Sequence, residues 1–253
     1  MPKLDAYYKI YYNMKNPLIS IITVSFNSVK TIEETIKSVI AQTYPKIEYI
    51  IIDGGSNDGT IDIIKKYENR ISYWISEPDK GIYNAMNKGI IKSSGDYILF
   101  INSDDQLYAS NTIDSCIRYI DDSVDVLYGD LVFNYINKQV IRRSESTLEN
   151  FNKYMPLFHP ATIVKKVLLD QYKFDEKYRI AADYKLLYTL YKAKYSFKKI
   201  DVIVAVFNAV DGVSNTNIKA SIKESFKVRA QEKWFIWWPK WILYCFLKAI
   251  GWI

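Results

Sequence analysis

An α/β fold, with a mainly parallel central sheet flanked by helices, is predicted by three observations. Apolar runs of strand length recur through the first half of the chain, at 18–27, 50–53, 71–76 and up to Phe100. Amphipathic stretches of helical period separate them. The runs are continuous in Ile, Val, Leu and Phe, not alternating, as strands buried on both faces read.

The elements follow in order. LISIITVSFN (18–27) is released from Pro17 and closes on polar Ser25 and Asn27, and TIEETIKSVIAQ (31–42) supplies the first helix. IIID ends a second strand at Asp53, and the turn GGSNDGT leads into a helix over 58–69. ISYWIS (71–76) is a third strand, EPDKGIYNAMNKGI (77–90) a loop feeding a helix, and FINSDD (100–105) the acidic end of a fourth apolar run. A strand pair over 126–142 and a helix over 183–194 follow, with further helices in the second half.

Composition bounds the class. A chain of 253 residues with 49% hydrophobic content buries one substantial core, and no Gly/Ser-rich or Pro-rich linker, repeat or low-complexity tract divides it. Cys116 and Cys245 have no C-x-x-C or His-paired spacing, which indicates reduced thiols in a cytoplasmic setting. Residues 1–16, rich in Tyr, lack the apolar core and cleavage site of a signal peptide and form an N-terminal extension. Net charge is −2 over 1–183 and +8 over 184–253, which make the +6 of the whole. The acidic part is where a metal would be held and the basic part where an anionic partner would lie. Nucleic acid is disfavoured as that partner, because the basic residues are interleaved with Trp, Ile and Leu.

Two strands deliver carboxylates to their C-terminal ends, where open α/β sheets bind ligands: Asp53 on one, Asp104 and Asp105 on the other. Carboxylates accept from an imide N–H and from ribose hydroxyls, and they ligate Mg2+ or Mn2+ as hard oxygen donors. Asp53 is equally readable as the cap of a turn. Neither G-x-G-x-x-G nor G-x-x-x-x-G-K-[ST] occurs after the first strand, which argues against a dinucleotide or P-loop site.

VSFN, IIIDGGSNDGT, Asp79-Lys80-Gly81 with NAMNKGI, GDYILFINSDD, HPATIV and IAADYKLL together resemble the inverting family 2 glycosyltransferases of GT-A fold, over roughly residues 17–210. They are most similar to bacterial enzymes that assemble capsule, O-antigen and exopolysaccharide. The resemblance implies a nucleotide-binding half (17–110) and an acceptor half (111–215) in one domain. It implies a nucleotide-sugar donor, a UDP-sugar first, a divalent cation and a polyprenyl-linked saccharide acceptor. It places Val24 and Phe26 beside the base, Asp53 on uracil or ribose, Asp79 and Lys80 over the nucleotide, Asp104 toward the ribose and Asp105 on the metal. Ser56 and Asp58 read as caps of the next helix. Asn102 stands where the family has an acid, so the metal is expected to arrive with the donor diphosphate.

Inverting transfer needs one base opposite the leaving group. Asp183 is the acid beyond the donor half that fits, although Ala182-Asp183 replaces the family's usual Glu-Asp and a first-turn helix acid is the plainer reading. His159, the one histidine, is an acceptor-side binding candidate. A sugar-phosphate nucleotidyltransferase would need a Gly-rich basic loop after the first strand, which VSFNSVK lacks, and a non-catalytic membrane-bound scaffold would have no use for all four acids.

Residues 216–253 form a basic tail with five of the six tryptophans in 234–253, interrupted by Pro239, Lys240 and Lys248. A spanning helix needs about 20 predominantly apolar residues. Trp and Lys favour the headgroup boundary, so residues 219–253 are expected to lie on the inner face of the cell membrane as two helices broken at Pro239, with packing into the protein's own core as the alternative.

Overall fold

In the computed structural model, residues 16–209 and 218–230 are described. Nine strands of one sheet lie among them: β1 (Ile19–Ser25), β2 (Ile47–Asp53), β3 (Tyr73–Ser76), β4 (Tyr97–Phe100), β5 (Gln106–Leu107), β6 (Val126–Tyr135), β7 (Lys138–Arg142), β8 (Thr162–Lys165) and β9 (Phe197–Asn208). The order is β3-β2-β1-β4-β8-β6-β9-β5, with β7 hung on β6.

The described helices are α1 (Ile32–Ile40), α2 (Thr60–Lys66), α3 (Ile82–Lys92), α4 (Thr112–Ile117), α5 (Lys166–Tyr172), α6 (Ala182–Lys192) and α7 (Ile218–Ala230). The expected elements of the first half are present. The expected strand pair over 126–142 is the antiparallel β6–β7 ladder.

The expectation of a mainly parallel sheet is corrected. β1, β2, β3 and β4 are mutually parallel, but β8 runs antiparallel to both β4 and β6, and β5 antiparallel to β9. The sheet is mixed because the chain reaches β8 and β9 after the βα units have ended. The 12-residue β9 had no counterpart in the sequence reading. Its lysines and Asp201 break the apolar pattern, and its partner β6 is some 70 residues away in sequence.

Alternation along the strands fills two apolar layers. Ile22, Val24, Ile50, Ile52, Ile98 and Phe100 face the layer capped by α3, α5 and α6. Ile19, Ile21, Tyr49, Ile51, Tyr97 and Leu99 face the layer capped by α1, α2 and α4. Gly89 lets α3 lie directly on β1, since a β-carbon there would stand 2.6 Å from Ile22 Cγ2. Cys116 is enclosed in the second layer.

The C-terminal segment divides. α7 packs on α6, and Val228 reaches the core at 3% exposure. Residues 1–15, most of the N-terminal extension, and 231–253, the Trp-rich stretch with Pro239, lie outside the described residues. No helix among the described residues is long and apolar enough to cross a membrane.

Candidate active site

Strand order reverses between β1 and β4, and the crevice at such a switch point is where α/β sheets bind ligands. β1 ends there on Ser25, β2 on Asp53 and β3 on Ser76, in register. The Asp53 carboxylate is wholly enclosed. It accepts from the Gly55 N–H (3.1 Å), the Ser56 N–H (2.8 Å) and hydroxyl (2.5 Å), and the Ser76 hydroxyl (2.6 Å). Four donors fill the acceptor sites of a carboxylate.

Its direct work is thus to fold the 54–57 turn. Ser56 Oγ in turn accepts the Asn27 N–H, and Asn27 Oδ1 the Asn57 N–H, which ties the β1 end to the β2 end. Asp58 accepts the N–H and hydroxyl of Thr60 at the start of α2, and the Val29 N–H. Ser56 and Asp58 therefore hold turns, but neither caps α2 as the sequence reading expected: its N-cap is Gly59, with no side-chain cap bond.

Above that turn the β3–α3 loop folds back. A β-carbon at residue 54 would stand 2.5 Å from Asp79 Oδ2 and 3.3 Å from Phe26 Cδ2, so only glycine admits this approach. Phe26 is 62% exposed. Asp79 Oδ1 accepts the Gly81 N–H at the head of α3, and Lys80 stands exposed beside it. The Val24 side chain is in the core, and its carbonyl takes the Ser103 N–H. Phe26, Gly54 and Asp79 are thereby brought together.

Asp104 and Asp105 part company. Asp105 is completely buried, with Oδ1 accepting the Asn208 N–H (3.1 Å) at the end of β9 and Oδ2 without a hydrogen-bond partner. Burial, with the neighbouring Asp104 charge, holds its carboxyl well above the usual range. Asp104 instead lines a polar cavity of about 190 Å3 with Lys30, Thr31, Glu34, Gln106 and Asn134. The Asn102 side-chain oxygen is also buried and unpartnered. An orphan carboxylate oxygen beside a cavity-facing carboxylate is a donor set that suits a hard cation. No group of three or more His, Cys, Asp or Glu is gathered for one among the described residues.

Asp183 sits in the first turn of α6, half-buried, and accepts the Tyr184 N–H (2.8 Å) and the Tyr83 hydroxyl (3.1 Å). Burial and the Asp183 charge keep the Tyr83 phenol far above its ordinary pKa, so it remains a donor. The His159 ring stacks on Phe100 (5.3 Å between centroids) and meets the edge of Phe174 (5.8 Å). Burial lowers its pKa while the Asp183 charge pulls the other way, which places His159 and Asp183 in one electrostatic neighbourhood. The 173–176 loop beneath them is pinned by Asn87, whose side chain bonds Phe174 N and O and Glu176, and by Asn84, which bonds Glu176.

Tyr83, Asn84 and Asn87 were not among the sequence candidates. Asn84 and Asn87 stand in NAMNKGI, which the family resemblance quoted, and Tyr83 directly before it, but their work is defined by a segment some 90 residues later.

A mixed α/β sheet with acids at its switch point and a further acid at the head of α6 has the arrangement in which open α/β sheets bind ligands. The model of the glycosyl transferase family 2 matches residues 20–177, and the chain belongs to that family. It is 42% identical over 103 residues to an uncharacterized glycosyltransferase of Mycobacterium tuberculosis, across 40% of this chain and 39% of the relative. It is also 42% identical over 93 residues to the putative teichuronic acid biosynthesis glycosyltransferase TuaG of Bacillus subtilis, 36% of this chain and 37% of the relative. The matches thus span about two-fifths of these relatives' length.

Among solved structures, S. aureus TarS in complex with UDP superposes with a TM-score of 0.66 at 23% identity, over 85% of this chain and 64% of that one. A mannosyltransferase of Pyrobaculum calidifontis in complex with GDP-Man and Mn2+ gives 0.61 at 18% identity, over 81% and 65%. These likenesses establish the GT-A-like fold.

Proposed function

We propose that the protein transfers a sugar, with inversion, from a UDP-sugar to a lipid-linked or growing saccharide in surface polysaccharide synthesis. Asp183 is the general base. The observation that carries the reading is the acid-bearing first turn of α6, with Asp183 bonded by Tyr83 and its charge felt at His159, in a family 2 chain. The acceptor hydroxyl gives its proton to Asp183 as its oxygen attacks the anomeric carbon, and the bond to the nucleoside diphosphate breaks on the opposite face. His159 stays neutral and offers the acceptor a polar edge on an aromatic wall.

On the donor side, Phe26 and Asp79 line the base position over Gly54, and exposed Lys80 is free to reach phosphate as a point charge. Asp53 supports the nucleotide through the turn it folds. For the divalent cation, exposure favours Asp104 as the ligand that meets solvent, with Asp105 anchoring β9 behind it. This reverses the order that the resemblance implies. When bound with the donor, Mn2+ or Mg2+ would neutralise charge on the departing diphosphate.

Peripheral attachment to the inner membrane face belongs to the same proposal. The outward face of α7 carries Lys219, Lys223 and Lys227 with Ile222 (55% exposed) and Phe226 (47%). Each well-placed lysine is worth about 1 kcal/mol against anionic lipid.

The test is nucleoside diphosphate release from a panel of UDP-, GDP- and dTDP-sugars with Mn2+ and a polyprenyl-linked acceptor. Acceptor-dependent UDP release supports the assignment. Release from none of the donors returns the scaffold reading, and release of pyrophosphate the nucleotidyltransferase reading.

A further inference from the structure

Glu224 lies on the inward side of α7, in line with Val228. Its carboxylate accepts the N–H of Arg179 (3.0 and 3.1 Å to its two oxygens), of Ile180 (2.8 Å) and of Ala181 (3.0 Å). These are consecutive amides leading into α6, and the last is that helix's N-cap residue. Backbone donors at a helix start lack intrahelical partners, and the helix dipole favours a negative charge beside them. Burial works against the charged carboxyl, but the three amides and Lys227 outweigh it and hold Glu224 below the usual glutamate range.

The same peptide is gripped from its other side. The Tyr83 hydroxyl donates to the Ile180 carbonyl and reaches Asp183 Oδ1. Residues 179–181 are therefore clamped between Glu224 of α7 and Tyr83 of α3, and Asp183 is the second residue beyond the clamp. Whatever rotates this peptide swings the Asp183 side chain.

We propose that Glu224 is a positioning residue for the base: it sets the rotation of the 179–181 peptide and thereby aims the Asp183 carboxylate at the acceptor. The inference rests on Asp183 being the base. It makes α7 part of the catalytic unit, and it ties the base to the helix whose other face is offered to lipid.

The experiment is a double-mutant cycle in the full chain, with turnover, UDP affinity and melting temperature measured for Glu224→Ala, Glu224→Gln, Asp183→Asn and Glu224→Ala with Asp183→Asn. Misplacement of a reacting group by about 1 Å costs up to about 10²-fold, so Glu224→Ala is expected to lower turnover by about 10-fold or more with UDP affinity unchanged. Glu224→Gln, which keeps one acceptor oxygen for part of the amide set, falls between it and the parent. If Glu224 acts through Asp183, the double variant turns over no more slowly than Asp183→Asn alone.

Parent-like turnover in Glu224→Ala, or a double variant slower by the whole Glu224→Ala factor, overturns the proposal while Asp183 keeps its role. Should Glu224→Ala fail to fold, the same cycle with Glu224→Gln decides. Full turnover in Asp183→Asn removes the base assignment itself and this inference with it.

Discussion

The two sides of the crevice are built differently. On the donor side, β1, β2 and β3 end in register, and their turns are held by side chains and amides of these three strand ends: Asp53 by Gly55, Ser56 and Ser76, and Asn27 by Ser56 and Asn57. On the acceptor side, the acid at the head of α6 is held by Tyr83, 100 residues earlier, and its approach peptide by Glu224, more than 40 residues later. The donor wall is local and saturated. The acceptor wall is assembled at long range, so single substitutions there should cut chemistry more than stability, and loss of the Asp53 carboxylate at the centre of the donor turn the reverse.

The largest effect expected is that of Asp183→Asn. It keeps shape and the Tyr83 contact but cannot take the proton, so turnover should drop by about 10²-fold or more while UDP binding persists. A variant that keeps its turnover would pass the role to His159.

The second contrast is between neighbours. Asp104→Ala should abolish the cation-dependent part of UDP binding, seen by calorimetry with and without EDTA, at an unchanged melting temperature. Asp105→Ala should instead leave the Asn208 amide without its acceptor and cost about 2 kcal/mol, or some 4–8 °C in melting temperature. The opposite pairing of outcomes would restore Asp105 as the ligand.

In the donor turn, Asp53→Ala strips four donors, two of them in buried bonds, of their acceptor and should cost about 3 kcal/mol by chemical denaturation. Gly54→Ala only displaces the end of Asp79, at about 1 kcal/mol, and should weaken UDP binding more than it lowers stability. Equal loss of UDP affinity and stability in Gly54→Ala would remove Asp79 from the base position.

The smallest effect is on pH. Because Glu224 has a lower pKa folded than unfolded, its contribution to docking α7 is complete above the usual glutamate range and is lost as pH falls through the lowered value. Protection factors at the Arg179, Ile180 and Ala181 amides, taken against intrinsic exchange at each pH, should therefore be high near neutrality and fall in acid. Protection that is unchanged in Glu224→Ala would contradict the contact.

The same division governs what could be read in the sequence. The βα units and their acidic ends were legible because their signals are local: unbroken apolar runs, Gly-rich turns and helical periods within about 15 residues of each other. β8, β9 and the mixed character of the sheet were not, since a strand such as FKKIDVIVAVFN owes its place to β6 and not to its own pattern. Asp53 reads in the sequence as a ligand contact or a turn cap, and the four hydrogen bonds that fold its turn include one from Ser76 on another strand, which no spacing within IIIDGGSNDGT announces. Asp104 and Asp105 look equivalent as a dipeptide, and only the end of β9 separates them. Tyr83 and Glu224 were not singled out in the sequence, because the contacts that give them work run through the 179–183 segment at the head of α6.

The most direct test of single-displacement transfer by one base is the anomeric configuration of the product. Proton NMR of the freshly transferred sugar, with the donor identified by the panel, should show the configuration opposite to that of the donor in every turnover. Retained configuration would require a second displacement by an enzyme nucleophile, and would contradict Asp183 as a lone general base.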